Sequence, residues 1–269
     1  MRLRSLLAVV LIAAGTGTTA AQSRVPSGTR LAELPAAPGP VATPFPLSHV
    51  GVQWVGDDDP VVEVRTGIPG QLGPWRRLHV AHDLDDEEAG IRRSGLVRAD
   101  GATLVQARTG GPARDIRIVA IDATSSAAPG TRPVGGPGSA QPEVVSRAAW
   151  GADEGMRTGT PEFATPTKLV VHHTVTPNDD PDPASTVRAI YAYHTRQNGW
   201  NDIGYNFLVD ASGRVYEGRY ARPYGPGETP TGEDPDGRGV IGAHARGFNV
   251  GSVGVALLGD FSGAAEPTG

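Results

Sequence analysis

Lys168-Leu169-Val170-Val171-His172-His173-Thr174 is a short apolar run that ends in two adjacent imidazoles. An apolar stretch of this length, with β-branched residues at its centre, reads as a buried strand. Successive side chains of a strand point to opposite faces, so His172 and His173 do not both face one site easily. The doublet is therefore not itself a chelate. Taken by spacing alone, it is more commonly a core or surface feature than part of a metal centre. Either histidine could still be a single ligand, held in direction by its strand.

Working outward, Asp182-Pro183 is a helix start, with Asp at the N-cap and Pro at the first helical position. Val187, Ile190, Tyr191 and His194 follow at i, i+3, i+4 and i+7, which predicts a helix with one buried face. Gly199 stands where such a helix ends. Tyr205 to Val209, the turn Asp210-Ala211-Ser212-Gly213 and Val215 to Glu217 predict a hairpin, with Tyr205 at the start of its first strand. Residues 219–238 are rich in Pro, Gly and acidic side chains and read as a loop. Val253 to Leu258 is a second buried strand. The order strand, helix, hairpin, strand defines an α/β unit, a mixed central β-sheet with flanking helices.

Upstream the pattern changes. Val50, Val52 and Trp54 alternate with Gly51 and Gln53; Val62 and Val64, Val105 and Ala107, and Ile116, Ile118 and Ala120 repeat the period of two. Turns rich in Gly and Asp separate these half-buried strands, and a small β-sandwich-like domain is expected at 45–123. Residues 22–44 read as a flexible N-terminus and 124–141 as a Pro, Ala, Gly and Ser linker, with the second domain at 142–269. Arg2 and Arg4, the apolar run Leu6–Ala14 and Thr19-Ala20-Ala21 look like a signal peptide spanning 1–21. A secreted protein with no membrane span after cleavage is the resulting expectation, and a monomer is expected.

The whole chain has 269 residues and a net charge of −5, which argues against non-specific nucleic-acid binding. It has no cysteine, so neither a disulfide nor a thiolate ligand is available within it. Asp57-Asp58-Asp59 and Asp85-Asp86-Glu87-Glu88 lack the spacing of a calcium loop and read as solvated loops. His79 and His82 lie near a strand with no matching ligands. Alone, a strand tyrosine such as Tyr205 is more often packing than chemistry, and His194 and His244 are more often structural.

Taken together, ordered blocks change those odds. They are Ser146-Arg147-Ala148-Ala149-Trp150-Gly151, Val171-His172-His173-Thr174, Tyr193-His194, Gly199-Trp200-Asn201-Asp202-Ile203-Gly204-Tyr205-Asn206-Phe207, Gly242-Ala243-His244 and Ser252 to Asp260. In this order the segment from about Val144 to Asp260 resembles the zinc amidases of the peptidoglycan recognition protein and phage-lysozyme type. The resemblance implies hydrolysis of the amide between N-acetylmuramic acid and L-alanine by a Zn2+-bound water. It also implies that His172 is the first zinc ligand, with His173 as the second choice. Tyr205 matches the catalytic tyrosine. His194, Trp200 and His244 match residues that line the peptidoglycan groove. Gly199-Trp200 matches a preference for diaminopimelate-type stem peptides.

The family's second histidine ligand and its cysteine ligand, in Gly-His-Arg-Asp-like and Cys-Pro-Gly-like motifs, have no counterpart in these 269 residues. The amidase domain is accordingly expected to be an incomplete part of a longer protein. The alternative function is a recognition module that binds peptidoglycan without cutting it.

Overall fold

The computed structural model describes residues 28–56, 60–80, 90–124 and 142–263. The expected signal peptide, both acidic clusters, His82 and all of the linker except Thr124 lie outside the described residues.

The first unit runs through β1 (Arg30–Pro35), β2 (Val41–Ala42), β3 (His49–Val55), β4 (Val62–Ile68), β5 (Gln71–Leu72), β6 (Arg76–Leu78), β7 (Ile91–Arg93), β8 (Val97–Arg98), β9 (Leu104–Thr109) and β10 (Arg114–Asp122). They form two antiparallel sheets. One is ordered β1-β10-β3-β7 with β8 also on β3; the other is β2-β9-β4-β5 with β6 also on β4. The alternation seen in the sequence closes the sandwich. Val50, Val52, Trp54, Ile118 and Ala120 of one sheet meet Val62, Val64, Val105 and Ala107 of the other in one buried cluster.

Two expectations are corrected here. Residues 30–42, read as part of a flexible N-terminus, carry β1 and β2, and β1 pairs with β10 over six residues. Leu31 packs on one side of that sheet, and Ala32 and Leu34 on the other, which rewards the pairing. Secondly, β3 is not half-buried. His49 and Gly51 on its outer face are as enclosed as Val50 and Val52, because the second unit covers them.

The second unit comprises β11 (Val144–Val145), α1 (Arg147–Trp150), β12 (Phe163–Ala164), β13 (Lys168–His173), α2 (Pro183–Ala192), β14 (Phe207–Val209), β15 (Val215–Glu217), β16 (Gly239–Val240) and β17 (Ser252–Leu257). Its main sheet has the order β11-β15-β14-β17-β13. Only β14 and β15 run antiparallel; the other three pairings are parallel. It is the mixed sheet of an α/β unit. Asp182 caps α2 by accepting from Ser185 N–H at 3.1 Å, a cap typically worth about 1 kcal/mol.

α2 departs from its expected one-sided pattern. Every residue from Ser185 to Ala192 is buried. One side faces the α/β core around Trp150, Leu208 and Ala256; the other meets Leu96, Val119, Ile121 and Ala123 of the sandwich, in a single shared cluster. Polar contacts fix the docking. His49 Nε2 lies 2.9 Å from Thr186 Oγ1, Arg98 Nη1 is 2.9 Å from Asp180 Oδ1, and Arg188 Nε donates to Ala123 O at 2.8 Å. The opposite face of the main sheet is open among the described residues, with Leu169 66% and Val171 59% exposed on its edge strand.

Candidate functional site

The site lies beside the last residues of β13 and the first half of β17, next to the turn that follows α2. The strand geometry separates the two histidines as alternation requires. His172 turns toward His244, with Nε2 3.0 Å from Nδ1, and toward Tyr205, with ring centroids 5.7 Å apart. His173 turns to the other side. Its Nδ1 accepts from Phe261 N–H at 2.9 Å and stands 3.7 Å from Asp260 Oδ1, which also lies 3.0 Å (its Oδ2) from His79 Nε2. Of the doublet, His172 alone shares a cluster with Tyr205.

His194 reaches the cluster through a local irregularity. After Ala192 the helix widens into one π-helical turn, Tyr193–Gln197. Such turns are frequent at functional sites because the extra residue re-aims the side chains. The His194 ring lies 4.7 Å from Trp200, tilted by 48°, and 5.4 Å from Tyr205, centroid to centroid. Its Nδ1 accepts from Gly204 N–H at 3.0 Å, so the neutral ring carries its proton on Nε2 as a donor. Burial pushes its pKa down to about 3, and the charge of Arg219 adds to the effect. His194 therefore stays neutral at physiological pH.

His244 is buried, and burial, then the neighbouring His172 and Arg219, lowers its pKa to about 4. Its Nε2 is 3.2 Å from Ser252 Oγ. The ring lies flat against Gly254; a Cβ there would sit 2.3 Å from two ring carbons. Sequence reading passed over Gly254, although a glycine inside a strand signals a close approach.

Tyr205 was expected to open the hairpin strand. In the structure β14 begins at Phe207. Asn206 interrupts the ladder, its side chain accepting from Gly254 N–H at 2.8 Å and donating to Val240 O at 2.7 Å. Tyr205 thus sits just before the strand, 4% exposed.

The Ser-Arg-Ala-Ala-Trp-Gly block supports this segment from beneath. Ser146 caps α1 and Gly151 closes it in the left-handed conformation. The Arg147 guanidinium reaches Asp202 Oδ1 at 3.1 Å, Glu154 at 2.7 Å and the carbonyl of Gly218. Burial opposes its charge, but Glu154 and Asp202 hold the guanidinium more firmly protonated than usual. Asp202 also accepts from Ile203 and Tyr220 N–H at 2.7 and 2.9 Å, locking the chain between Trp200 and Tyr205.

A catalytic zinc has three protein ligands and an open position. Among the described residues there is no group of three or more His, Cys, Asp or Glu able to hold a metal. His172 and His244 offer two imidazoles, already within hydrogen-bond distance of each other. These residues therefore do not complete the expected zinc set.

The fold and the ring cluster define a class: a mixed α/β sheet carrying a cluster of aromatic and imidazole side chains beside its parallel strands. Residues 162–268 match the family model of N-acetylmuramoyl-L-alanine amidase. Peptidoglycan-recognition protein LB of Drosophila melanogaster is 33% identical over 130 residues, 47% of this chain and 48% of the relative. N-acetylmuramoyl-L-alanine amidase of Homo sapiens is 38% identical over 104 residues, 37% of this chain and 15% of the relative. A solved structure of bumblebee PGRP-SA is 30% identical, with 48% of this chain and 68% of that one covered and a TM-score of 0.36. The similarity to the peptidoglycan recognition protein and N-acetylmuramoyl-L-alanine amidase family lies in the second unit. It spans about half the length of the first curated relatives it matches, 48% and 53%.

Proposed function

We propose that the cleft formed by His172, Tyr205, His194, Trp200 and His244 binds the muramyl–L-alanine junction of peptidoglycan, with diaminopimelate-type stem peptides as its ligands. The observation that carries the reading is the convergence of these five side chains from four separate segments. A muramyl peptide is polar, amide-rich and anionic. Trp200 offers a partly exposed aromatic face to it, and the neutral His194 a fixed donor. A relative named for peptidoglycan recognition and another named as the amidase support the same ligand.

Hydrolysis of the N-acetylmuramoyl-L-alanine amide is the activity we propose for the protein when a full zinc set is present. The 269-residue chain itself is expected to bind and not to cut, since the described residues do not assemble three ligands. A phenol placed like Tyr205 can hydrogen-bond a developing oxyanion while keeping its own proton at neutral pH. Action outside the cell, after removal of the N-terminal segment, is part of this proposal.

Calorimetric titration with a soluble disaccharide-tetrapeptide tests it. Saturable one-to-one binding that Trp200→Ala weakens by at least about tenfold, roughly 1.4 kcal/mol, is the expected result. No binding to the intact chain would remove the reading. Release of free stem peptide by this chain would overturn the claim that it binds without cutting.

A further inference from the structure

The β-sandwich reaches the cleft itself. Its segment Ser94-Gly95-Leu96, between β7 and β8, lies against the two pieces of chain that carry the site histidines. Gly95 N–H donates to His79 O at 2.9 Å, so the sandwich holds this segment in place. On its other side Gly95 meets the loop that follows His172 and His173. A Cβ at Gly95 would lie 3.0 Å from Val175 O, 3.2 Å from Val175 Cβ and 3.6 Å from Thr174 O. The obstructing atom is a backbone oxygen, which cannot swing aside.

Val175 has φ of +54°, a left-handed conformation that is a genuine outlier for a β-branched residue. Such strain costs on the order of 1–3 kcal/mol and persists only where the surroundings dictate it. Here Gly95 lies alongside on one side, close enough that an added Cβ would meet the Val175 carbonyl. On the other, Thr174 N–H donates to Leu257 O at 3.0 Å, and Thr174 Oγ1 lies 2.7 Å from Thr176 Oγ1. The second piece is the π-helical turn. The Tyr193 hydroxyl donates to Ser94 O at 3.3 Å, and Tyr193 shares a buried cluster with Leu96 and Ile190. The next residue is His194. A crevice of only about 30 Å³, room for little more than one water, remains between Ser94–Leu96 and Thr174, Tyr193, His194 and Tyr205.

We propose that Ser94-Gly95-Leu96 is a positioning element of the cleft, clamping Val175 and Tyr193 so that His172 and His194 are aligned only while the sandwich is docked. The sandwich is then part of the recognition site. Its effect on ligand rests on the reading that the cleft binds muramyl peptides; its effect on the imidazoles does not.

The test uses the full 269-residue chain, with imidazole NMR resonances of the free protein and calorimetry with a disaccharide-tetrapeptide. Gly95→Ala is expected to shift the resonances of His172 and His194 and to weaken binding by about tenfold. Tyr193→Phe, which removes one hydroxyl and keeps the packing, is expected to do the same more mildly, by about threefold, and decides the question if Gly95→Ala does not fold. Val64→Ala, deep in the sandwich and away from the contact, controls for stability alone. It should lower the unfolding midpoint while leaving resonances and affinity, measured well below that midpoint, unchanged. The proposal is overturned if the folded contact variants keep wild-type resonances and affinities within twofold, or if Val64→Ala moves them equally. If the wild-type chain binds no muropeptide, the functional reading fails while the imidazole resonances still decide the positioning.

Discussion

Lowering the pH from 7 to 5 should destabilise the docked molecule, and His49 is the group that best shows why. It is fully buried between the sandwich and α2, 3.0 Å from Ser48 Oγ and 2.9 Å from Thr186 Oγ1. Burial, then the charge of Arg98, drops its pKa from 6.5 to about 3. The unfolded chain therefore binds the proton first as pH falls. The stability that neutral His49 contributes is complete above pH 6.5 and drains away between 6.5 and 3. Between pH 7 and 5 the loss is about 2 kcal/mol for such a group. His194, at about 3, loses about 2 kcal/mol in the same window, and His244, coupled to His172 at 3.0 Å, shifts stability in the same direction. Glu217 runs the other way. Burial raises it from 4.5 to about 7, so its folded form takes up a proton as pH falls and gains about 2 kcal/mol. The carboxylates held low, Asp122, Glu154 and Asp260, titrate below this window. The net expectation is a loss of at least about 2 kcal/mol, on the order of 5 °C in melting temperature for a chain of this size. Urea unfolding at the two pH values, for the wild type and His49→Gln, measures it. The variant should show a pH difference smaller by about 2 kcal/mol, whatever its absolute stability. A flat profile, or an undiminished difference in His49→Gln, would refute the reasoning.

Other consequences concern single side chains. Gly254→Ala places a methyl group 2.3 Å from the His244 ring and should expel that ring, abolishing muropeptide binding in a chain that still folds, as read by calorimetry beside circular dichroism. Arg147→Met leaves Asp202 buried without its cation and should cost about 3–5 kcal/mol in urea unfolding; a change under 1 kcal/mol would show that the ion pair is dispensable. Leu169→Thr and Val171→Thr, on the open sheet face, should each change stability by less than about 0.5 kcal/mol, whereas Leu208→Ala in the enclosed core should cost about 2–5 kcal/mol.

The period of two in Val50-Val52-Trp54 and Val62-Val64 was enough to read the sandwich, and Asp182-Pro183 marked the start of α2. Periodicity reports how many faces a segment buries, however, and not against what. The polar and small residues on the second side of α2, Ser185, Thr186, Arg188 and Ala189, look solvent-compatible in sequence. In the structure Ser185 and Arg188 donate to the Ala123 carbonyl of the sandwich, Thr186 meets its His49, and Ala189 joins the shared apolar cluster. The docking of the two units, and with it the role of Ser94–Leu96 beside the cleft, left no periodic trace. Alternation did anticipate that His172 and His173 would diverge. It did not say which would face Tyr205, because that depends on which side of the sheet α2 covers. The π-helical turn at His194 and the glycine floor under His244 are likewise products of packing.

The central claim is that His172, His194, Trp200, Tyr205 and His244 form one binding cleft for muramyl peptides. Its most direct test is the NMR footprint of a diaminopimelate-type disaccharide-tetrapeptide titrated into the 269-residue chain. Saturable shifts concentrated on these five residues and on the Ser94–Leu96 wall are the predicted result. Shifts confined to the distant face of the sandwich, or none at saturating ligand, would contradict it.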